Sequence, residues 1–202
     1  MARYAFYADG FNVYYALDGN TSYHKYKWLN YHRLAERLTL AQDRIVAVCY
    51  FTALVHWKQA NVARHEQYIR ALRSAGVETV QGHFMEKEVR CHRCQETFRT
   101  HEEKRTDVNI ALRVLGDAVR DVFDRAVIVS ADSDLLPVIQ SLELCAPDKQ
   151  IGVMFPIGRT SFDLRQKAHF RFKMKEQLLQ ECQFSDEVRL GSEVIRRPTT
   201  WR

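Results

Sequence analysis

Ala126-Val127-Ile128-Val129-Ser130-Ala131-Asp132-Ser133-Asp134 is an apolar, β-branched run that stops abruptly at two aspartates. An apolar run without polar alternation reads as a strand buried on both faces, the habit of parallel sheets covered by helices. Helical patterns flank it. Upstream, Thr106 is placed to cap a helix from Asp107 through Ala118, with Val108, Ala111, Leu112 and Leu115 on one face; downstream, Ser133 to Leu144 reads as the next helix. Gln150 to Phe155 then reads as the last strand of the core.

The first half of the chain follows the same grammar. Arg3 to Ala8 is a short aromatic-rich strand stopped by Asp9-Gly10, followed by a helix from about Phe11 to Leu17 and a segment of turn chemistry from Asp18 to Asn30. Tyr31 to Leu40 reads as a helix and Ile45 to Phe51 as the second strand. Lys58 to Ala75 carries Val62, Tyr68, Ile69 and Leu72 near helical spacing with Gly76 just past its end, and Val77 to Gln81 is a third strand. Repeated strand–helix units imply a mostly parallel sheet with helices on both faces, because each parallel connection needs a crossover. Beyond Pro156 the expectation is mostly helix, from about Ser161 to Cys182, then an extended or partly ordered tail from residue 184 to 202 with no core-forming period.

The 202 residues, 46% of them hydrophobic, suffice for one good core, so one domain over 1–183 is expected, with an insertion at 83–102 and the tail at 184–202. No apolar stretch approaches the roughly 20 residues that cross a bilayer, and a signal-peptide pattern is lacking, so a soluble cytoplasmic protein without a membrane partner is expected. Five cysteines, three of them (Cys49, Cys145, Cys182) in apolar or amphipathic runs, do not suggest a disulfide framework. The net charge of +5 and pI near 9.0 suit a polyanionic partner or, equally, simple solubility.

In open α/β sheets, ligands bind where the strands end, so Asp9, Asp132 and Asp134 just past two strands, and Asp107 at the start of a helix, are placed to converge. Clustered carboxylates need a countercharge, and oxygen-only ligands favour Mg²⁺ or Mn²⁺. Such ions activate water and neutralise a phosphodiester. The plainer alternative is that Asp107 and Asp134 merely cap helices. A phosphatase of the aspartyl type would carry a second aspartate two residues after Asp9, where Phe11 stands, and no glycine-rich phosphate loop is present for a nucleotide triphosphatase.

Asp9-Gly10-Phe11-Asn12, Glu103 to Ala111 and Val129 to Leu135, in this order over roughly Tyr4 to Cys182, resemble the NYN family of PIN-like nucleases. The resemblance implies a PIN-like three-layer α/β/α sandwich and metal-dependent hydrolysis of RNA. It would give Asp9, Asp107, Asp132 and Asp134 to Mg²⁺ or Mn²⁺, Asn12 to a ligand or substrate phosphate, and Ser130 to support of the last acidic pair. Glu103 would be an outer-sphere ligand or a solvated charge. The competing function is a catalytically weak RNA-binding or scaffold protein on the same fold, and homo-oligomerisation is left open.

The insertion carries Cys91-His92-Arg93-Cys94, a C-x-x-C spacing that lets two thiolates grip one tetrahedral Zn²⁺. Two more ligands are needed, with His101 the first choice and His83 the second; a metal-free turn or a redox pair is the alternative. Lys87, Arg90, Arg93, Arg99, Lys104 and Arg105 would make a basic rim for phosphates, or a solvated charged loop. A second basic stretch, Arg159 to Lys175, interleaves Phe162, Phe170 and Phe172, which at helical spacing read more readily as core than as base-stacking rings. Tyr14, Tyr15, Tyr23, Tyr26 and Trp28 are ambiguous in the same way, and Arg196, Arg197, Trp201 and Arg202 offer further contacts in the tail.

Overall fold

A computed structural model describes residues 1–54 and 59–201, without the side chains of residues 59, 60, 102 and 103. The expected helix start at Lys58, the Glu103 side chain and Arg202 therefore lie outside the described residues.

The chain builds a seven-stranded sheet from β1 (Arg3–Asp9), β2 (Arg44–Ala53), β3 (Glu78–Arg90), β4 (Thr97–Lys104), β5 (Arg125–Val129), β6 (Gln150–Phe155) and β7 (Phe170–Lys173). Their order is β4-β3-β2-β1-β5-β6-β7, parallel throughout except for β4 against β3. Strand side chains alternate between faces, so β1 sends Tyr4, Phe6 and Ala8 to one core and Ala5 and Tyr7 to the other. The first core is closed by Val13 and Leu17 of α1 (Gly10–Asp18), Leu34 and Ala35 of α2 (Tyr31–Leu38), and Ala71 and Leu72 of α3 (Gln59–Ser74). The second is closed by Ile110, Val114 and Ala118 of α4 (Thr106–Val119), Ile139 and Leu142 of α5 (Leu136–Cys145), and Leu164 of α6 (Phe162–Lys167). This is the expected three-layer sandwich, with a sheet covered on both faces.

Four local expectations change. Thr106 is the first residue of α4 and Arg105, in a left-handed conformation at φ 78°, occupies the cap. That helix also packs through Ile110, Val114 and Ala118, leaving Val108 and Leu112 exposed: apolar residues lie on two of its faces, and periodicity alone could not choose between them. Residues 161–182 are not continuous helix, because β7 interrupts α6 and α7 (Glu176–Glu181); the Phe170 ring lies over Gly152 of β6, where a Cβ would stand only 2.1 Å from it. Phe170 and Phe172 pack against the core as expected, whereas Phe162 is 69% exposed.

The tail is ordered as well. It forms a hairpin of β8 (Glu187–Leu190) and β9 (Glu193–Arg196) and ends in a helical turn at Thr199–Trp201. Phe184 and Trp201 pack their rings against Trp28, 5.7 and 6.2 Å between centroids, and Ile195 is buried with them. Three apolar anchors are too sparse to register as a period, yet they suffice to hold a short hairpin. The segment after α1 similarly holds a 3-10 helix at Thr21–Tyr26, and Tyr26 and Trp28 are core residues.

The insertion is neither irregular nor separate. β3 runs past its pairing with β2, which ends at Gly82, and continues as an antiparallel ribbon with β4 from His83 opposite Lys104 to Arg90 opposite Thr97. Because β3 is parallel to β2, this ribbon projects beyond the carboxyl edge of the sheet.

Candidate functional site

Sheet order reverses direction at β1: the chain moves from β1 to β2 on one side and later returns to β5 on the other. The crevice at such a reversal, outside the carboxyl ends of the strands, is where open α/β sheets place ligands. Asp9 is the last residue of β1 and is 5% exposed. Its Oδ1 accepts the Asn12 backbone N–H at 3.0 Å, so the same carboxylate caps α1. Its Oδ2 accepts the Ser130 hydroxyl at 2.9 Å, reaching from β1 across to the end of β5.

Ser130 also accepts the Asp132 N–H at 3.0 Å, and Asn12 Oδ1 accepts the Ala131 N–H at 3.0 Å. Asp132 Oδ1 in turn accepts the Asp134 N–H at 3.0 Å. Two hydrogen bonds thus tie the neighbouring strand ends together and two more brace the loop after β5, making one acidic loop system. Ser130 braces Asp9 as well as the loop of the last acidic pair. Asn12 spends its carbonyl on that loop rather than presenting it to solvent.

The carboxylates feel one another. Burial pushes Asp9 up to about 6, against the lowering effect of its bonds to Asn12 and Ser130, and Asp107 and Asp132 raise it further. Asp107, in the first turn of α4, is raised by partial desolvation and by Asp132 and Asp134. The structure therefore brings Asp9, Asp107, Asp132 and Asp134 to one edge. Among the described residues no lysine, arginine or histidine forms an ion pair with any of them. Also among these residues, no three His, Cys, Asp or Glu side chains stand as a ready-made ligand cluster. A buried carboxylate beside like charges with no cationic partner fits a hard divalent cation with much of its coordination left to water and substrate.

The hairpin stands beside this edge. Phe84 of β3 meets Phe11 edge-on at 5.6 Å between centroids, directly after Asp9 and Gly10. Lys104 and Arg105 lie at its base next to Asp107, while Arg93 is exposed at its tip. Arg99 is exposed too, with its Nε 3.2 and 3.5 Å from the carboxylates of Glu86 and Glu88 on the facing strand.

Cys91 and Cys94 sit together in the hairpin turn, but the expected zinc set is not assembled. The ladder puts His101 opposite Glu86 and His83 opposite Lys104, four and seven residues along the strands from Thr97 and Arg90 at the turn. At about 3.4 Å per residue these separations are roughly 14 and 24 Å, far beyond a Zn–N bond.

One feature was invisible in the sequence. On the α1–α3 side of Asp9 lies a cavity of about 290 Å³ whose lining includes Gly10, Tyr14, Tyr31, Tyr50, Arg64 and His65. Burial pushes His65 down to about 4, and its ring shares a 2.9 Å hydrogen bond with Thr52. Tyr15, by contrast, is exposed and stacks on Phe11 at 6.0 Å. Only the tyrosine-rich stretch near residue 14 hinted at such a lining, and Tyr31, Tyr50, Arg64 and His65 come from three further elements.

The 6-hydroxy-3-succinoylpyridine 3-monooxygenase HspA of Pseudomonas putida (strain DSM 28022 / S16) is 26% identical over a 239-residue alignment, covering 98% of this chain and 75% of that protein. A solved structure of a protein of unknown function from Vibrio parahaemolyticus matches with a TM-score of 0.62 at 19% identity, over 87% of this chain and 94% of the other, a likeness of fold alone. The family model of the NYN domain matches residues 3–174. That span holds all seven strands of the sheet and all four aspartates at its edge, and by it this chain belongs to the NYN domain family.

Proposed function

We propose that this protein is a metal-dependent ribonuclease. Its family has a nuclease-type fold, and one observation carries the reading further: Asp9, at the reversal of strand order, is raised by burial and then by its neighbours Asp107 and Asp132, and has no cationic partner among the described residues. Asp9, Asp107, Asp132 and Asp134 would hold Mg²⁺ or Mn²⁺, which supplies charge neutralisation at a phosphodiester and an acidified water. Ser130 and Asn12 fix the carboxylates, so little reorganisation is needed when a cation arrives. Lys104, Arg105 and Arg93 would meet phosphates along the hairpin; Arg99 would do so only by leaving Glu86 and Glu88.

The test is to incubate purified protein with single-stranded and structured RNA in Mn²⁺, Mg²⁺ or EDTA, beside an Asp9→Asn variant. Cleavage is expected in the metals and not in EDTA or the variant, while RNA affinity survives in the variant. RNA bound but uncut under every condition, by wild type and variant alike, would make the protein a non-catalytic RNA binder.

A second reading draws on the cavity and on the relative that is a monooxygenase of a pyridine compound. Aromatic walls with Arg64 in the lining suit a small planar acid, whereas Lys27 there is already paired with Asp18. Calorimetric titration with 6-hydroxy-3-succinoylpyridine tests it, and no heat at millimolar ligand removes it.

A further inference from the structure

We propose that the hairpin tip is one half of a zinc site, and that two copies of this chain meet tip to tip, each giving Cys91 and Cys94 to a single tetrahedral Zn²⁺. The inference does not rest on the ribonuclease reading; the two share only Arg93, which at a tip-to-tip contact would face the zinc centre rather than RNA phosphate.

The turn has the shape of a metal knuckle. Cys91 N–H donates to the Glu96 carbonyl at 2.8 Å and Gln95 N–H to the Cys91 carbonyl at 2.9 Å, closing a tight loop around the C-x-x-C segment. Gln95, directly after the second cysteine, takes a left-handed φ of 61°, which turns the chain sharply back into β4. Within that loop the ladder pairing of Arg90 with Thr97 closes the strands on either side of the turn, so Cys91 and Cys94 are held in one short reversal of the chain. The C-x-x-C spacing within one turn is what lets two thiolates reach a single tetrahedral ion. Cys94 is exposed, Cys91 is partly exposed, and both are free.

A structural Zn²⁺ takes four ligands, and this turn offers two. His101 and His83 are held away by the ladder, and among the described residues no third His, Cys, Asp or Glu completes the set. The hairpin carries the pair beyond the sheet edge, which leaves it accessible to another molecule. An isologous two-fold contact would supply the same pair again.

Charge favours the arrangement. Zn²⁺ with four thiolates carries two negative charges, formed as four thiol protons leave and four Zn–S bonds replace four S–H bonds. Arg90 is fixed at the tip by its Nε donating to the Gln95 carbonyl at 3.3 Å, and Arg93 lies between the cysteines. Against them stands Glu96, whose carboxylate accepts the Cys94 thiol at 3.9 Å. Two arginines less one glutamate leave one positive charge per tip and two per pair, matching the centre.

The experiment is zinc analysis and light-scattering mass measurement on the full chain, with and without a chelator, beside a Cys91→Ser/Cys94→Ser variant whose folding is checked by circular dichroism. The expected result is about 0.5 zinc per chain, a doubled mass that halves on chelation, and a folded, zinc-free monomer for the variant. Co²⁺ substituted for zinc should give the thiolate charge-transfer absorption of four sulfurs per metal. About one zinc per monomeric chain would overturn the proposal in favour of ligands within one molecule. Zinc-free protein with a Cys91–Cys94 disulfide, or a dimer insensitive to the chelator, would overturn it equally.

Discussion

At Asp9, stability and chemistry conflict. The buried carboxyl titrates near 6 in the folded protein against an ordinary value of 3.8, so the folded state prefers it protonated. Its stabilising contribution is complete below about pH 4 and is lost as pH rises through about 6, the reverse of an aspartate held in an ion pair. At neutral pH without metal, ionised Asp9 costs on the order of 2–3 kcal/mol. Asp9→Asn, which keeps a carbonyl for the Asn12 N–H, is therefore expected to raise metal-free stability at pH 7.5 by about 1–2 kcal/mol and to change little at pH 4. Urea unfolding at the two pH values measures this; equal effects at both would show that Asp9 carries no buried charge. In wild type, the thermal shift given by Mn²⁺ should fade as pH drops below about 6, since the cation competes with a proton there.

The elements meet at the site under local strain. Arg105 adopts a left-handed conformation at φ 78° to turn the chain from β4 into α4, a region that costs a non-glycine residue roughly 1 kcal/mol. Arg105→Gly should stabilise the protein by about 0.5–1 kcal/mol while weakening RNA binding and its salt dependence, if the guanidinium meets phosphate. Greater stability with unchanged affinity would reduce Arg105 to a structural oddity. Gly10 illustrates the opposite case: a Cβ there would stand 2.5 Å from the Tyr50 ring and 2.6 Å from the Phe51 carbonyl. Gly10→Ala must shift α1 against β2, with an expected loss of about 1–3 kcal/mol in chemical denaturation and a larger fractional loss of activity than of RNA affinity.

For the molecule as a whole, the tail is part of the core. Trp201 is 6% exposed and closes over Trp28 and Tyr68, while the Trp28 indole N–H donates to the Ser185 carbonyl at 2.9 Å. Trp201→Ala should cost about 3 kcal/mol, and removal of residues 184–202 more, both read as lowered melting temperature. A truncated chain as stable as the full one would show the hairpin to be ornamental. The same closure forms part of the cavity wall, so either change should also alter ligand access beside Asp9.

The sheet strands were legible because their apolar runs have no alternative use: Ala126 to Val129 is too apolar to face water and too short for a helix. The aspartates at the strand ends were legible for the same reason, as charges stopping apolar runs. Composition alone did not reveal which face of α4 is buried, since Val108 and Leu112 suit a core as well as Ile110 and Val114 do; only contact with β1 and β2 chose between them. Nor could it reveal that 83–102 is a ribbon, because strands exposed on both faces have no apolar period to read. The sequence determined which residues could hold metal or zinc; the tertiary structure decided which of them meet. It brought four aspartates from three distant segments to one edge, and it drew His83 and His101 out along a ladder away from Cys91 and Cys94, because ladder register sets distance where spacing along the chain does not.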